Sequence, residues 1–200
     1  RQRAAPGNLR APRRFNPTRL VSSPTDAAPA ARRLPLSAKL GVVAALYFAQ
    51  GLPYGIFAEL VPTFLRFQGV ALEDISQIVA RLGLAWTLKF LWAPLVDQLG
   101  SRKAWIVGAQ LLLAGALAAI AVLDATAATP ALWLALAALT FLSATQDVAI
   151  DAYSIELLDE REDGAANGVR VTAYRVALIA AGGLLVALAG RTGWSAVFWI

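Results

Sequence analysis

The chain has 200 residues, of which 58% are hydrophobic and only 16% charged, with a formal net charge of +5. That balance and a positive mean hydropathy exclude an ordinary soluble domain and point to a chain that lives in a bilayer. Cysteine and histidine are both absent, which removes disulfides, thiolate and imidazole metal sites, and the commonest general base, so proton handling falls to carboxylates, tyrosines and lysines. No metal site and no cofactor is expected.

Residues 1–38 are rich in Arg, Pro and Ala, with one acidic residue, Asp26. Such a composition buries too little apolar surface to offset chain entropy, which predicts a disordered arm. The arm lacks the apolar core of a secretory signal. It also lacks interleaved aromatics beyond Phe15, so no nucleic-acid partner is expected.

From residue 39 to 200 the pattern predicts an all-α transmembrane bundle, with apolar spans at about 40–65, 75–96, 104–123, 131–155 and 167–189 and the start of a sixth at Trp194. The connections carry turn residues: Gln68-Gly69, Gly100, residues 124–130, the acidic run Asp159–Gly164, and Gly190–Gly193. Gly51-Leu52-Pro53 interrupts the first span and Pro94 lies near the end of the second. In lipid such breaks persist where neighbouring helices or a wet cavity satisfy the freed backbone groups. Gly182-Gly183 predicts a close helix contact. No methionine stands at position 1, and the segment from Trp194 stops after about two turns, short of the roughly 20 residues needed to span. Both features predict a piece of a longer chain, cut within its sixth helix.

Basic residues set the orientation. Residues 1–39 contain nine of them. The loop near 100 adds Arg102 and Lys103, and the region near 160 adds Arg161 and Arg170, against Arg66 and Arg191 on the other side. The amino terminus is therefore expected in the cytoplasm.

Charges inside the spans are costly and call for partners. At 1.5 Å per residue, Asp147, Arg175 and Lys89 fall near a depth of roughly 12 Å from the inner surface. Asp151 and Arg170 come at roughly 6 and 4 Å, and Glu59 and Arg81 at roughly 9 Å from the outer surface. The layers predict Asp147 near Arg175 or Lys89, Asp151 near Arg170 or the loop cations, and Glu59 near Arg81. Thr140, Ser143, Asp147, Asp151 and Ser154 form one polar stripe at helical spacing, a face expected to look into the protein or a cavity. Two readings stand for these charges: a static network that fixes helix packing, or a path for an anionic solute and protons.

Residues 93–103, Ala-Pro-Leu-Val-Asp-Gln-Leu-Gly-Ser-Arg-Lys, resemble the loop motif between the second and third spans of the major facilitator superfamily. Asp97, Gly100, Arg102 and Lys103 are in register, while Ala93, Gln98 and Ser101 depart from the pattern. The resemblance implies that this loop is an inner gate between bundles. Residues 89–97, the run Ser143–Asp147 through Asp151-Ala152, Tyr174-Arg175 with Gly182-Gly183, and Gly193-Trp194 look like the AmpG-type muropeptide permeases, which are grouped with acetyl-CoA transporter-like proteins.

That likeness, from about Gln50 to Trp199, implies the amino-terminal six-helix bundle of a carrier in the bacterial inner membrane, importing anhydro-muropeptides by proton symport. It also implies that the chain is no enzyme, and that a carboxy-terminal bundle is a missing partner without which this piece does not transport. Under it, Lys89 and Arg175 contact the solute or a counter-charge, Asp147 pairs charge and couples protons with Asp151 nearby, and Gln146 and Tyr174 make polar solute contacts. Acetyl-CoA, a peptide or a drug as cargo, and a non-transporting membrane scaffold, are the alternatives.

Overall fold

The computed structural model describes residues 34–123 and 129–199. The expectation of a disordered arm over residues 1–33, and of a turn within 124–128, lies outside the described residues. Helix α1 spans Leu36–Phe67, and Pro35 occupies its N-cap with an extended backbone. The arm therefore ends sooner than residue 38, because Pro35 fits just ahead of a helix and nothing after it opposes winding. The expected break at Gly51-Leu52-Pro53 does not stop α1. Pro53 and Pro62 each remove a backbone donor. Between them Ile56–Leu60 widens into a π turn, and the helix carries on.

Helix α2 covers Leu72–Leu88, with Glu73 and Asp74 in its first turn, where carboxylates complement the helix dipole. The span expected over 75–96 is not one helix. Pro94 has no N–H to return to the preceding turn, so the chain tightens into a 3₁₀ turn at Lys89–Leu91 and restarts as the short α3, Ala93–Gln98, with the proline in its first turn. Helix α4 is Arg102–Val122, capped by the Ser101 hydroxyl, which accepts from the Ala104 N–H. Helix α5 is Pro130–Leu157, capped in the same way by Thr129. Helix α6 runs over Glu160–Thr192 with a second π turn at Ala180–Leu185, and α7 is Trp194–Val197.

Among the described residues four helices, α1, α4, α5 and α6, are long and apolar enough to cross a membrane. Helix α5 is the hub: α1, α2 and α4 all pack on it, while α6 packs chiefly on α1. The α1–α6 seam is tight. A Cβ added at Gly51 would lie 2.7 Å from the Ala177 Cβ, and one at Gly55 would lie 2.6 Å from the Ala181 Cβ. Small residues one turn apart on both helices let the backbones meet, as membrane helices require where no hydrophobic force drives them together. Gly182 joins this seam against Glu59, whereas Gly183 faces open space.

Two apolar cores flank the middle of the bundle. The larger gathers Leu60, Phe64, Leu113, Ile120, Leu136, Leu139 and Leu185. The smaller, nearer the Lys39 end, joins Val96, Ile106, Ala149 and Ile150. The stretch of α5 that holds Ser143 and Asp147 lies between them in sequence, and there the buried side chains turn polar.

Candidate functional site

Asp147 projects from α5 and is 7% exposed. Its Oδ2 accepts a hydrogen bond from Trp86 Nε1 at 3.0 Å, and Lys89 Nζ stands 3.6 Å from the same oxygen. Trp86 lies in the last turn of α2, and Lys89, three residues on, opens the 3₁₀ turn that follows it. The other carboxylate oxygen, Oδ1, is buried without a hydrogen-bond partner. Oxygen atoms in that state carry a desolvation cost unless water or a solute reaches them.

Aromatic rings wall this centre. Tyr54 meets Trp86 edge-on at 5.0 Å, Phe57 lies 5.0 Å from Trp86 and 6.4 Å from Tyr54, and Tyr174 of α6 stands 6.0 Å from Tyr54. Edge-to-face contacts at such distances hold ring orientations beyond what area burial alone gives.

One turn on, Asp151 Oδ1 accepts from the Tyr47 hydroxyl at 2.7 Å, and the Arg170 guanidinium lies over the Tyr47 ring, 5.6 Å from its centroid. These residues line a cavity of about 450 Å³ together with Gln50, Asn167, Tyr174 and Arg175. The expected neighbourhood of Asp151 and Arg170 is thus present, joined through a tyrosine rather than a direct ion pair. Arg175 shares this cavity and does not pair with Asp147; of the two partners expected for Asp147, Lys89 is the one in place.

At the Lys39 end, Arg102 pairs with Asp97 at 3.5 Å and donates to Glu156 of α5. Gly100 allows this fold-back, since its φ of +75° is strained for a residue with a Cβ. Lys103 sits over the Tyr153 ring at 5.6 Å. Lys39, buried at the start of α1, bonds Asp159 at 2.9 Å and Glu162 at 2.7 Å, tying α1 to the α5–α6 connection.

One expectation needs correction. Glu59 and Arg81 do not meet: Arg81 bonds Gln77 of its own helix on an exposed face, while Glu59 packs its stem against Gly182 of α6. Depth counting matches heights but says nothing of rotation about the helix axis, and the π turn that contains Glu59 alters that rotation further. Gln146 is 1% exposed with both amide atoms unpartnered, and it lines a separate, mostly apolar cavity of about 400 Å³ shared with Gln110 and Leu113. Adjacent helical residues point about 100° apart, so Gln146 turns from the Asp147 face.

The polar stripe on α5 does face inward: Thr140, Ser143, Asp147 and Ser154 are all buried. Sequence reasoning missed Trp86, Tyr47, Gln50, Tyr54, Lys39 and Glu156. A signal existed for three of them, since Tyr47, Gln50 and Tyr54 recur at i, i+3 and i+7 on α1, one face of a helix.

The family model described as Major Facilitator Superfamily matches residues 32–200. The anhydromuropeptide permease of Escherichia coli (strain K12) is 32% identical over 163 residues, covering 78% of this chain and 33% of the relative. An uncharacterized protein of Haemophilus influenzae is 35% identical over 170 residues, 80% of this chain and 39% of that one. A Rickettsia felis protein named as transporter AmpG 4 is 30% identical over 166 residues, 78% of this chain and 40% of the relative. The chain spans about a third of the length of the Escherichia coli permease and about two fifths of the other two.

Proposed function

The chain belongs to the Major Facilitator Superfamily, and on that premise we propose that it is the solute-handling part of a transmembrane carrier. Its cargo is an anhydro-muropeptide or a related anionic solute, taken up with protons across the inner membrane, the amino terminus lying in the cytoplasm. The observation that carries this reading is Asp147, buried on a helix apolar enough to span, held by Trp86 and Lys89 on one oxygen and without a hydrogen-bond partner on the other. A purely structural carboxylate would be satisfied at both oxygens.

The arrangement suggests a coupling device. Lys89 can neutralise Asp147 or a carboxylate of the solute, but not both fully at once. When an anionic solute draws Lys89 away, Asp147 is left as an uncompensated buried charge, and binding a proton relieves it. Solute and proton then enter together. The Tyr54, Trp86 and Tyr174 rings offer apolar faces to a sugar, and Arg175 and Arg170 offer further cationic contacts. Asp97, Arg102 and Lys103, with Glu156, form the inner latch that opens as access alternates. The kinship with an anhydromuropeptide permease at 32% identity supports the cargo.

The experiment is uptake of labelled anhydro-muropeptide by right-side-out membrane vesicles containing the full-length protein. Accumulation driven by an imposed inward proton gradient is the expected outcome. Accumulation of acetyl-CoA instead, or of nothing under any gradient, contradicts the reading.

A further inference from the structure

Helices α4 and α5 leave a groove of about 410 Å³ between them, running from the Gly100 end of the bundle. Ala104, Gly108 and Leu112 of α4 face Phe141, Leu142 and Thr145 of α5 across it. Both helices are long and apolar enough to span, and Leu112 and Phe141 are exposed, so the groove opens on the surface of the bundle. On its floor a Cβ added at Gly108 would meet nothing within 4 Å. Its polar side chains are already satisfied. The Thr145 hydroxyl accepts from Trp92 Nε1 at 3.1 Å and donates to the Phe141 carbonyl at 2.8 Å, and the Trp105 indole N–H donates to the Leu99 carbonyl. The Trp92 ring extends the wall 4.8 Å from Phe141. A groove whose side chains have no hydrogen bond left to give suits hydrocarbon and not a polar solute.

At the Gly100 end stands Lys103, exposed, with its ammonium over the Tyr153 ring at 5.6 Å. Among the described residues Lys103 forms no ion pair, because the neighbouring carboxylates, Asp97 and Glu156, both face Arg102. We propose that the groove seats one acyl chain of an anionic phospholipid from the leaflet at the Lys103 end, with the lipid phosphate against Lys103 Nζ. The lengths agree: Ala104 to Leu112 covers roughly 12 Å of helix axis, against roughly 15 Å of hydrocarbon in one leaflet. The charge agrees as well, since an anionic headgroup supplies the counter-charge that Lys103 lacks. A zwitterionic headgroup would bring an ammonium that needs a carboxylate of its own, and Asp97 and Glu156 are already engaged by Arg102. The occupant is a membrane lipid and not the carrier's solute, so the inference goes beyond the transport reading and holds whatever the cargo.

The test is native mass spectrometry of the purified full-length protein in detergent, titrated with phosphatidylglycerol or with phosphatidylcholine of the same acyl chains. Phosphatidylglycerol is expected to bind about fivefold more tightly, the ratio that one lysine beside an anionic headgroup gives. Lys103→Gln is expected to bring the two lipids level, and Lys103→Arg to keep them apart. Gly108→Leu, which fills the floor of the groove where a side chain has room, is expected to remove the tight site while thermal unfolding shows the protein still folded. Equal binding of the two lipids by the parent protein, an undiminished preference in Lys103→Gln, or an unchanged tight site in folded Gly108→Leu each overturns the proposal. Binding of neither lipid overturns it too, and is the result expected if another part of the full-length protein covers the groove.

Discussion

Asp147 shows how a single buried charge organises its surroundings. Its Oδ2 is bound by an indole N–H and faced by an ammonium, and hydrogen bonds to charged groups contribute about 1.5–3 kcal/mol. Trp86→Phe keeps an aromatic ring beside Tyr54 and Phe57 and deletes the donor together with the pyrrole ring, whose packing loss is common to both backgrounds. It is expected to lower stability by about that amount more in the parent protein than in an Asp147→Asn background, a non-additivity that a double-mutant cycle measures. Equal losses in both backgrounds would mean that the indole acts by packing alone. That Asp147 would meet Lys89 or Arg175 was legible in the sequence because depth can be counted along a helix; that it is Lys89 needed the fold. Trp86 was not, since an indole reads as an apolar residue until a carboxylate stands opposite its nitrogen. The failure of Glu59 to meet Arg81 has the same origin, because height is one coordinate and contact needs three.

The elements owe their shapes to where prolines and glycines fall. The long apolar runs of α1, α4, α5 and α6 were plain in the sequence, but the two π turns were not, because nothing local marks them except the prolines on either side of Ile56–Leu60. Gly51 reads, with Leu52-Pro53, as a break in α1 and acts instead, with Gly55, as its contact face. At Gly55 a methyl group would meet the Ala181 Cβ at 2.6 Å, too close without backbone movement. Gly55→Ala is therefore expected to destabilise the bundle by about 1–3 kcal/mol, and Ala181→Gly to restore much of the loss in the double variant. Gly183→Ala, where a Cβ meets nothing within 4 Å, is the matched control. Thermal unfolding in detergent reads all three, and an unaffected Gly55→Ala would show that the α1–α6 seam is looser than described.

For the molecule as a whole, composition and charge distribution were enough to read an all-helical membrane chain, and the loop around Asp97 enough to read its superfamily. The division of the polar residues into an Asp147 centre, an Asp151 cavity and an ion-pair cluster at the Lys39 end needed the fold, because Tyr47 and Arg170 come together only when α1 and α6 pack. In the proposed orientation the basic residues near 100 and 160 place the Lys39 end in the cytoplasm. The chain has no cysteine, so single cysteines can report on that assignment. Phe67→Cys is expected to react with a membrane-impermeant maleimide added outside intact cells and Gln98→Cys only after the membrane is opened, and the opposite pattern would invert the topology. The measurement that bears most directly on the account is proton-driven accumulation of anhydro-muropeptide by vesicles carrying the full-length protein or its Asp147→Asn variant at matched levels. Concentrative uptake by the parent and its loss in a folded, membrane-inserted variant is the expected result; undiminished accumulation by Asp147→Asn would show that the buried carboxylate only holds helices together.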